Sequence, residues 1–332
     1  MKWRREKSME LRFSCVRVSA CLFATAGLLV LLLSCGCVPQ QGTSSEDVRK
    51  KMEYHYGAGL TYLNEGKTPQ AVKELMAARA LSAGNADVEH ALGLAYQRKG
   101  LVEAAIAQYK RALQLNPRLT EARNNFGTAY LIKGQYDEAI AAFLQCLKDP
   151  TYATPDKAEF NLGIAYFHKK DLDKAIVHYE RAIMLKPDNA LALHNLGYCH
   201  ETNKDYPRAL SFYKKAIEAD PRFKDAWLRI GLIQEDMKEY DQALKSFRRS
   251  LDFDPDFLEG LFQLGALLVR VGKVSEGLRK LELVVKADAS GPLGKKAAEL
   301  VQEINTDKFK GIPKVKFKEK TPTRASGTKG DK

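Results

Sequence analysis

The sequence predicts an all-α solenoid of about seven helix-turn-helix repeats closed by a C-terminal capping helix. Three observations carry the prediction. Gly59, Gly93, Gly127, Gly163, Gly197, Gly231 and Gly265 recur at successive spacings of 34, 34, 36, 34, 34 and 34 residues. Twelve residues after each stands a second small residue: Ala71, Ala105, Ala139, Ala175, Ala209, Ala243 or Gly277. Within a unit the apolar residues fall three or four apart, as in Leu92 and Tyr96, then Ala105, Tyr109 and Ala112 of the second unit, the spacing of one helix face.

A 34-residue unit with small residues at its eighth and twentieth positions resembles the tetratricopeptide repeat, two antiparallel helices joined by a tight turn. Small side chains at those positions let the two helices cross closely. Pro117, Pro187, Pro221 and Pro255 stand where the second helix of a unit must stop, since proline lacks the amide hydrogen and fixes φ. One such unit buries too little to offset the ordering of its backbone, so its stability must come from stacking on neighbours. The repeats are placed at 52–291 and the capping helix at 292–307, with Lys295, Lys296, Glu299 and Glu303 facing water. A chain of 332 residues could hold two domains by length, but the unbroken period makes it one continuous solenoid.

The two ends differ from the repeats. Met1 to Arg17 carries six basic and two acidic residues, and the uncharged run that follows to Ser34 has the form of a secretory signal peptide over 1–34. A membrane-spanning anchor is the competing account, because an apolar run of this length lies at the short edge of what crosses a bilayer. Leu32-Leu33-Ser34-Cys35 resembles the bacterial lipobox, which implies a covalent acyl lipid on Cys35, with Cys37 as the alternative. Several acyl chains together anchor a protein stably. No aspartate follows either cysteine, and in the resembling lipoproteins this favours the outer membrane. Residues 35–51, rich in Pro, Gln, Gly, Ser and Thr without apolar periodicity, read as a flexible tether.

The formal charge of +12 belongs to the ends. Lys308 to Lys332 holds nine basic and two acidic residues, while the stretch 35–307 is only +1, so the overall charge gives no ground for a nucleic-acid partner. The tail over 308–332 reads as solvated and disordered; contact with an anionic surface or an acidic protein is the sharper alternative. Its Lys314-Val-Lys-Phe-Lys-Glu-Lys320 alternation would also permit strand addition.

The chain has no phosphate loop, nucleophile elbow, His-Glu-x-x-His or paired cysteines at zinc spacing, so no enzyme is expected. Cys146 and Cys199 lie two repeats apart and are expected as buried thiols rather than a disulfide. His168, His194 and His200 lack companion ligands and are expected to be structural, with no metal.

Function is therefore sought on the concave face, which the first helix of each repeat lines through its second, fifth, sixth, ninth and twelfth positions. The ninth reads Leu60, Leu94, Thr128, Ile164, Tyr198, Leu232 and Ala266, and the fifth adds Tyr56, Phe160, Leu228 and Phe262. Tight curvature would bury such residues; a hydrophobic site for a peptide or helix would expose them to a partner. Asn125, Asn161 and Asn195 share the sixth position of three consecutive repeats. A primary amide both donates and accepts, so each could grip one peptide unit of an extended partner, although Asn is also common there in generic repeats. The candidate partner-binding groove is Asn125, Asn161, Asn195, Phe160, Ile164, Tyr198 and Leu232.

Three segments go beyond a generic repeat: Glu121-Ala-Arg-Asn-Asn-Phe-Gly127, Gly134-Gln-Tyr-Asp-Glu-Ala139 and Asp149-Pro-Thr-Tyr-Ala-Thr-Pro155. The last contains the two extra residues of the third unit, where Thr154 is expected to cap and Pro155 to open the next helix. Together they resemble type IV pilus biogenesis lipoproteins, the pilotins of the pilus secretin. That resemblance implies a protein anchored at the periplasmic side of the outer membrane. Its partner would be a pilus secretin or an extended segment of another envelope protein, and its task to promote secretin localisation and assembly without a cofactor other than the acyl lipid. The family typically has about six repeats, whereas this chain has seven and a basic tail. A general periplasmic scaffold for envelope, peptidoglycan or polysaccharide-export complexes is the alternative.

Overall fold

The computed structural model describes residues 44–306. The signal segment, Cys35 and Cys37, the start of the tether and the tail over 308–332 lie outside the described residues. These form fifteen α-helices and, among them, no strand. Seven pairs run α1 (Ser45–Asn64) with α2 (Thr68–Leu81), α3 (Ala86–Arg98) with α4 (Val102–Leu115), α5 (Thr120–Lys133) with α6 (Tyr136–Cys146), and α7 (Pro155–His168) with α8 (Leu172–Leu185). Then come α9 (Ala190–Thr202) with α10 (Tyr206–Ala219), α11 (Lys224–Asp236) with α12 (Tyr240–Ser250), and α13 (Leu258–Arg270) with α14 (Val274–Ala287). A fifteenth helix, α15 (Pro292–Asn305), packs on α14 and α13 with Lys295, Lys296, Glu299 and Glu303 exposed.

The first helix begins earlier than the composition suggests. Residues 35–51 read as tether, yet α1 starts at Ser45. Its first turn carries Glu46 and Asp47 at the positive end of the helix dipole. Glu46 also pairs with Arg49 at 3.5 Å and with Lys50 at 3.4 Å, three and four residues on. Charge patterning, not an apolar stripe, therefore extends this helix.

With each repeat numbered so that its recurring glycine is eighth, the small residues do what the spacing predicts, but the close neighbour is a larger one. The twentieth-position alanines are all completely buried. The glycine, however, faces the residue sixteen positions on. A methyl group added to Gly93 would sit 2.4 Å from the Tyr109 ring, and on Gly163 it would meet Tyr179 at 2.5 Å. Phe143, Tyr213 and Phe247 play the same part against Gly127, Gly197 and Gly231, and Leu75 and Leu281 close the terminal repeats. The crossing of the pair is thus a ring, or a leucine in the terminal repeats, set against a bare backbone and buried from solvent.

The turn between the helices of a pair uses one left-handed residue at the fifteenth position of every repeat. Gly66, Gly100, Gly134 and Gly272 hold φ between 74° and 87°, and Lys170, Lys204 and Lys238 hold 59° to 62°. Glycine reaches this region freely, whereas a lysine there carries steric strain.

The longer third repeat is organised around Asp149. Its carboxylate accepts from the Thr120 hydroxyl at 2.7 Å, and from the Thr151 amide and hydroxyl at 2.9 and 2.7 Å. Tyr152 turns inward against Cys146, Ala158 and Leu162. Thr154 occupies the N-cap position of α7, but its side chain does not cap the helix as expected; Pro155 alone opens it. The hydroxyl that does the fastening is Thr120, back at the start of the same repeat. Cys146 and Cys199 are both fully buried, and burial pushes each thiol up to about 12.

First helices of neighbouring repeats touch in the N-terminal half, as α1 with α3, α3 with α5 and α5 with α7, and again where α13 meets α15, whereas no pair of second helices approaches to the same extent. The first helices therefore form the inner wall of the stack.

Two backbone substitutions test these constraints. Gly163→Ala is expected to lower the unfolding free energy by about 1–3 kcal/mol, because the methyl displaces a ring with no room to move. Lys204→Gly is expected to raise it by about 1 kcal/mol by relieving the left-handed strain. Urea unfolding followed by helix circular dichroism reads both. Hydrogen bonds from Thr151 and then Thr120 pull the Asp149 carboxyl from 3.8 down to about 2. Its stabilising effect is complete above about pH 4 and is lost as the pH falls through about 2. Asp149→Asn is thus expected to unfold more easily than the parent near neutrality and to converge with it in acid.

Candidate partner-binding groove

All seven residues expected to form the groove lie on first helices, and all are half-buried. Each therefore keeps part of its surface on the inner face while its base packs between helices. Phe160 leans on Tyr179 with ring centroids 5.9 Å apart, and Phe167, at the twelfth position, meets Tyr198 at 5.4 Å. Ile164 packs in the same cluster as Phe160 and Phe167, and Leu232 packs beside Leu228 in the sixth repeat. Leu191, at the second position, adds a side chain that is 54% exposed. Apolar side chains thus line the inner face of repeats four to six, with Phe167 and Tyr198 joining the fourth to the fifth.

The asparagine column is knitted into the protein. The Asn125 amide nitrogen lies 2.8 Å from His90 Nε2 of the preceding repeat. Burial lowers the His90 pKa against the opposing pull of Asp87 and Glu121, which favours a neutral ring able to accept there. Asn161 donates to Asn124 Oδ1 at 3.4 Å and to Thr128 Oγ1 at 3.5 Å. Asn195 donates to the Tyr179 hydroxyl at 3.4 Å, while its oxygen lies 3.3 Å from His194 Nδ1. Asn195 is thus engaged at both ends. Asn125 and Asn161 keep their carbonyl oxygens, and one amide hydrogen of Asn125 remains for a partner as well.

The column does not stop at Asn195. Thirty-four residues on stands Arg229, whose guanidinium lies 4.4 Å from the Tyr198 ring centroid and 3.2 Å from Glu201. Glu201 also accepts from the Tyr213 hydroxyl, and burial together with this carboxylate pushes the Tyr213 pKa far up. Arg229 was legible from the period alone, and the column needed only to be read one repeat further. His194 was passed over as a structural histidine, and it does pack between Tyr213 and Phe223. It also holds Asn195, and its Nε2 is buried without a hydrogen-bond partner. His168 stacks on Tyr136, and His200 stacks on Phe212. Among the described residues no three His, Cys, Asp or Glu side chains gather as a metal set.

Carboxylates hold the second position in repeats two, three and six, whereas Lys157 and Leu191 hold it in repeats four and five. Burial and then Asp87 raise the Tyr56 pKa, while burial lowers His90 against the pull of Asp87 and Glu121 and lowers His194 against the pull of Asn195 and Asp225. The face therefore offers apolar side chains and two free amide acceptors in its middle, with carboxylates toward either end.

Paired helices stacked in register, with a half-open inner face of apolar and amide groups, define a repeat scaffold that binds protein or peptide partners, a class that is generally non-enzymatic. Tetratricopeptide-repeat models match residues 157–189, 190–223 and 225–257, and residues 56–120 and 90–155. These matches extend over more than half of the chain, which belongs to the tetratricopeptide-repeat family. Among solved structures, Pseudomonas aeruginosa PilF is similar at 21% identity and a TM-score of 0.57, over 64% of this chain and 96% of that one. PilW, a widely conserved type IV pilus biogenesis factor, is similar at 20% identity and a TM-score of 0.60, over 65% of this chain and 98% of that one. Cut9–Hcn1 of the APC/C is similar at 14% identity and a TM-score of 0.58, over 80% of this chain and 49% of that one. At these identities the likeness is one of fold. No curated protein matches the sequence.

Arg229→Ala is expected to cost about 1–3 kcal/mol of stability, since it leaves the Glu201 carboxylate half-buried without its cation. Asn161→Ala, whose two bonds are long, is expected to cost less than about 1 kcal/mol. Parallel denaturant titrations of the two variants measure the difference.

Proposed function

We propose that this chain is a protein-binding scaffold anchored by lipid to the periplasmic side of the outer membrane. It acts there in type IV pilus biogenesis, promoting secretin localisation and assembly. The observation that carries the binding role is that Asn125, Phe160, Ile164, Tyr198 and Leu232 are all half-buried on first helices of successive repeats. The pilus assignment is supported by the resemblance over Glu121 to Gly127 and Asp149 to Pro155, and by a fold shared with PilF and PilW.

The balance of forces at the strip says what kind of partner it suits. Two free carbonyl acceptors contribute about 2 kcal/mol between them. Micromolar affinity needs about 8 kcal/mol. The remaining ~6 kcal/mol corresponds to at least about 240 Å² of apolar surface, before the cost of immobilising the partner. A segment with several apolar side chains fits this face, and a purely polar peptide does not.

The anchor would be an acyl lipid on Cys35, or on Cys37. With α1 beginning at Ser45, ten residues separate Cys35 from the solenoid, a reach of at most ~36 Å. The scaffold would then work close to the membrane. Binding needs no chemical step: a groove that prefers the assembly-competent form of its partner raises the population of that form.

The alternative is a general scaffold for other periplasmic complexes, favoured by what the pilus proteins leave over. PilF and PilW match along 96% and 98% of their own lengths yet cover only 64% and 65% of this chain.

In a deletion strain, heat-resistant secretin multimers are expected to fall, to return with the wild-type gene, and to stay low with the alanine variant of whichever cysteine is acylated, Cys35→Ala or Cys37→Ala. Unchanged, correctly placed multimers would sink the pilus assignment and favour the general scaffold.

A further inference from the structure

The inner face changes character toward its C-terminal end. In the middle repeats its asparagine amides donate to side chains of the preceding repeat. In the sixth and seventh repeats, Leu232 and Phe262 are half-buried on α11 and α13 and Leu228 is buried beside Leu232, with Asp225 and Glu259 on the first turns of the same helices. Glu201 and Glu235, nearby, are neutralised by Arg229 and Arg270. Asp225 and Glu259 make no salt bridge among the described residues, and Glu259 is exposed. An apolar floor is thus left beside two uncompensated carboxylates.

The same chain carries the complement. Residues 308–332 have a net charge of +7 against +1 for 35–307, and within them Lys314-Val-Lys-Phe-Lys-Glu-Lys320 sets a lysine at every second position. In an extended conformation its four lysines fall on one side, with Val315, Phe317 and Glu319 on the other. We propose that this segment docks on the inner face of the last two repeats, with Phe317 over Leu228, Leu232 and Phe262 and its lysines beside Asp225 and Glu259. The inference rests on reading the inner face as the binding surface, and it makes the tail the first occupant that any partner must displace.

The path is short enough. The described chain ends at Thr306, and α15 packs against α13 on the inner wall. Moving from α15 to α11 means two steps between neighbouring helices, ~20 Å in all. Running back along a 13-residue helix adds ~20 Å in the perpendicular direction. The diagonal, ~28 Å, is within the ~36 Å that the eleven residues from Thr306 to Phe317 can span. A tether of that length holds the segment at roughly millimolar local concentration, so a contact too weak to form between molecules is populated within one.

The test uses the full chain with Phe317 replaced by benzoylphenylalanine, irradiated at low protein concentration and mapped by mass spectrometry. The expected adducts lie on α11 and α13 of the same molecule. Combining Asp225→Asn with Glu259→Gln, or leaving both in place and adding about 0.5 M salt, is expected to reduce them about fivefold. The salt arm needs no variant and so cannot be confused with misfolding. Three results would overturn the proposal: adducts confined to the apolar cleft of Val285, Ala298 and Val301 between α14 and α15, adducts only between molecules, or a yield indifferent to salt and to both substitutions. A partner peptide that still binds the inner face when the tail does not crosslink would leave the scaffold reading standing and remove only the tail.

Discussion

The stack depends on one contact repeated seven times, between the eighth-position glycine of a first helix and the ring or leucine sixteen residues later on the second. A side chain at the glycine would overlap that group at 2.4 to 3.0 Å. The two helices of every repeat are therefore held at nearly the same separation and crossing. Uniform crossing is what brings equivalent positions of successive first helices into columns. Without it, Asn125, Asn161, Asn195 and Arg229 would be four unrelated polar residues and not one line along a face.

Much of this was legible in the sequence, because a 34-residue period constrains every unit at once. The helix pairs, the buried twentieth-position alanines and the placement of the groove residues on first helices all follow from spacing. What the period could not show is which larger residue lies on the glycine. Tyr109, Phe143, Tyr179, Tyr213 and Phe247 are ordinary apolar members of a helix face until the two helices are brought together. The start of α1 was missed for a different reason: its first two turns are held by Glu46, Arg49 and Lys50, and a search for apolar periodicity passes over a helix stabilised by charge. Thr154 sat where a cap belongs, yet the loop is fastened by Asp149 to Thr120 across the repeat, a pairing with no signature in local sequence.

The asparagine column shows the limit of reading chemistry from residue type. Three amides in line offer six donor and acceptor ends, enough to follow an extended peptide. In place, Asn195 is engaged at both ends and the other two donate to the preceding repeat. Their first task is to join adjacent units. The fourth member, Arg229, is similarly committed, lying over Tyr198 and bonded to Glu201.

The glycine and its ring lie within one unit, sixteen residues apart in a stretch of 34. A duplication or loss of a whole repeat by recombination carries both partners together, and the new copy arrives with its own packing intact. The bonds between units behave differently. Asn125 to His90, Asn161 to Asn124 and Arg270 to Glu235 each join residues of different repeats, and are broken or remade whenever the order changes. Length is thus the trait such a lineage can alter most readily. The polar pattern of the inner face, which depends on who stands next to whom, is the trait it must rebuild each time.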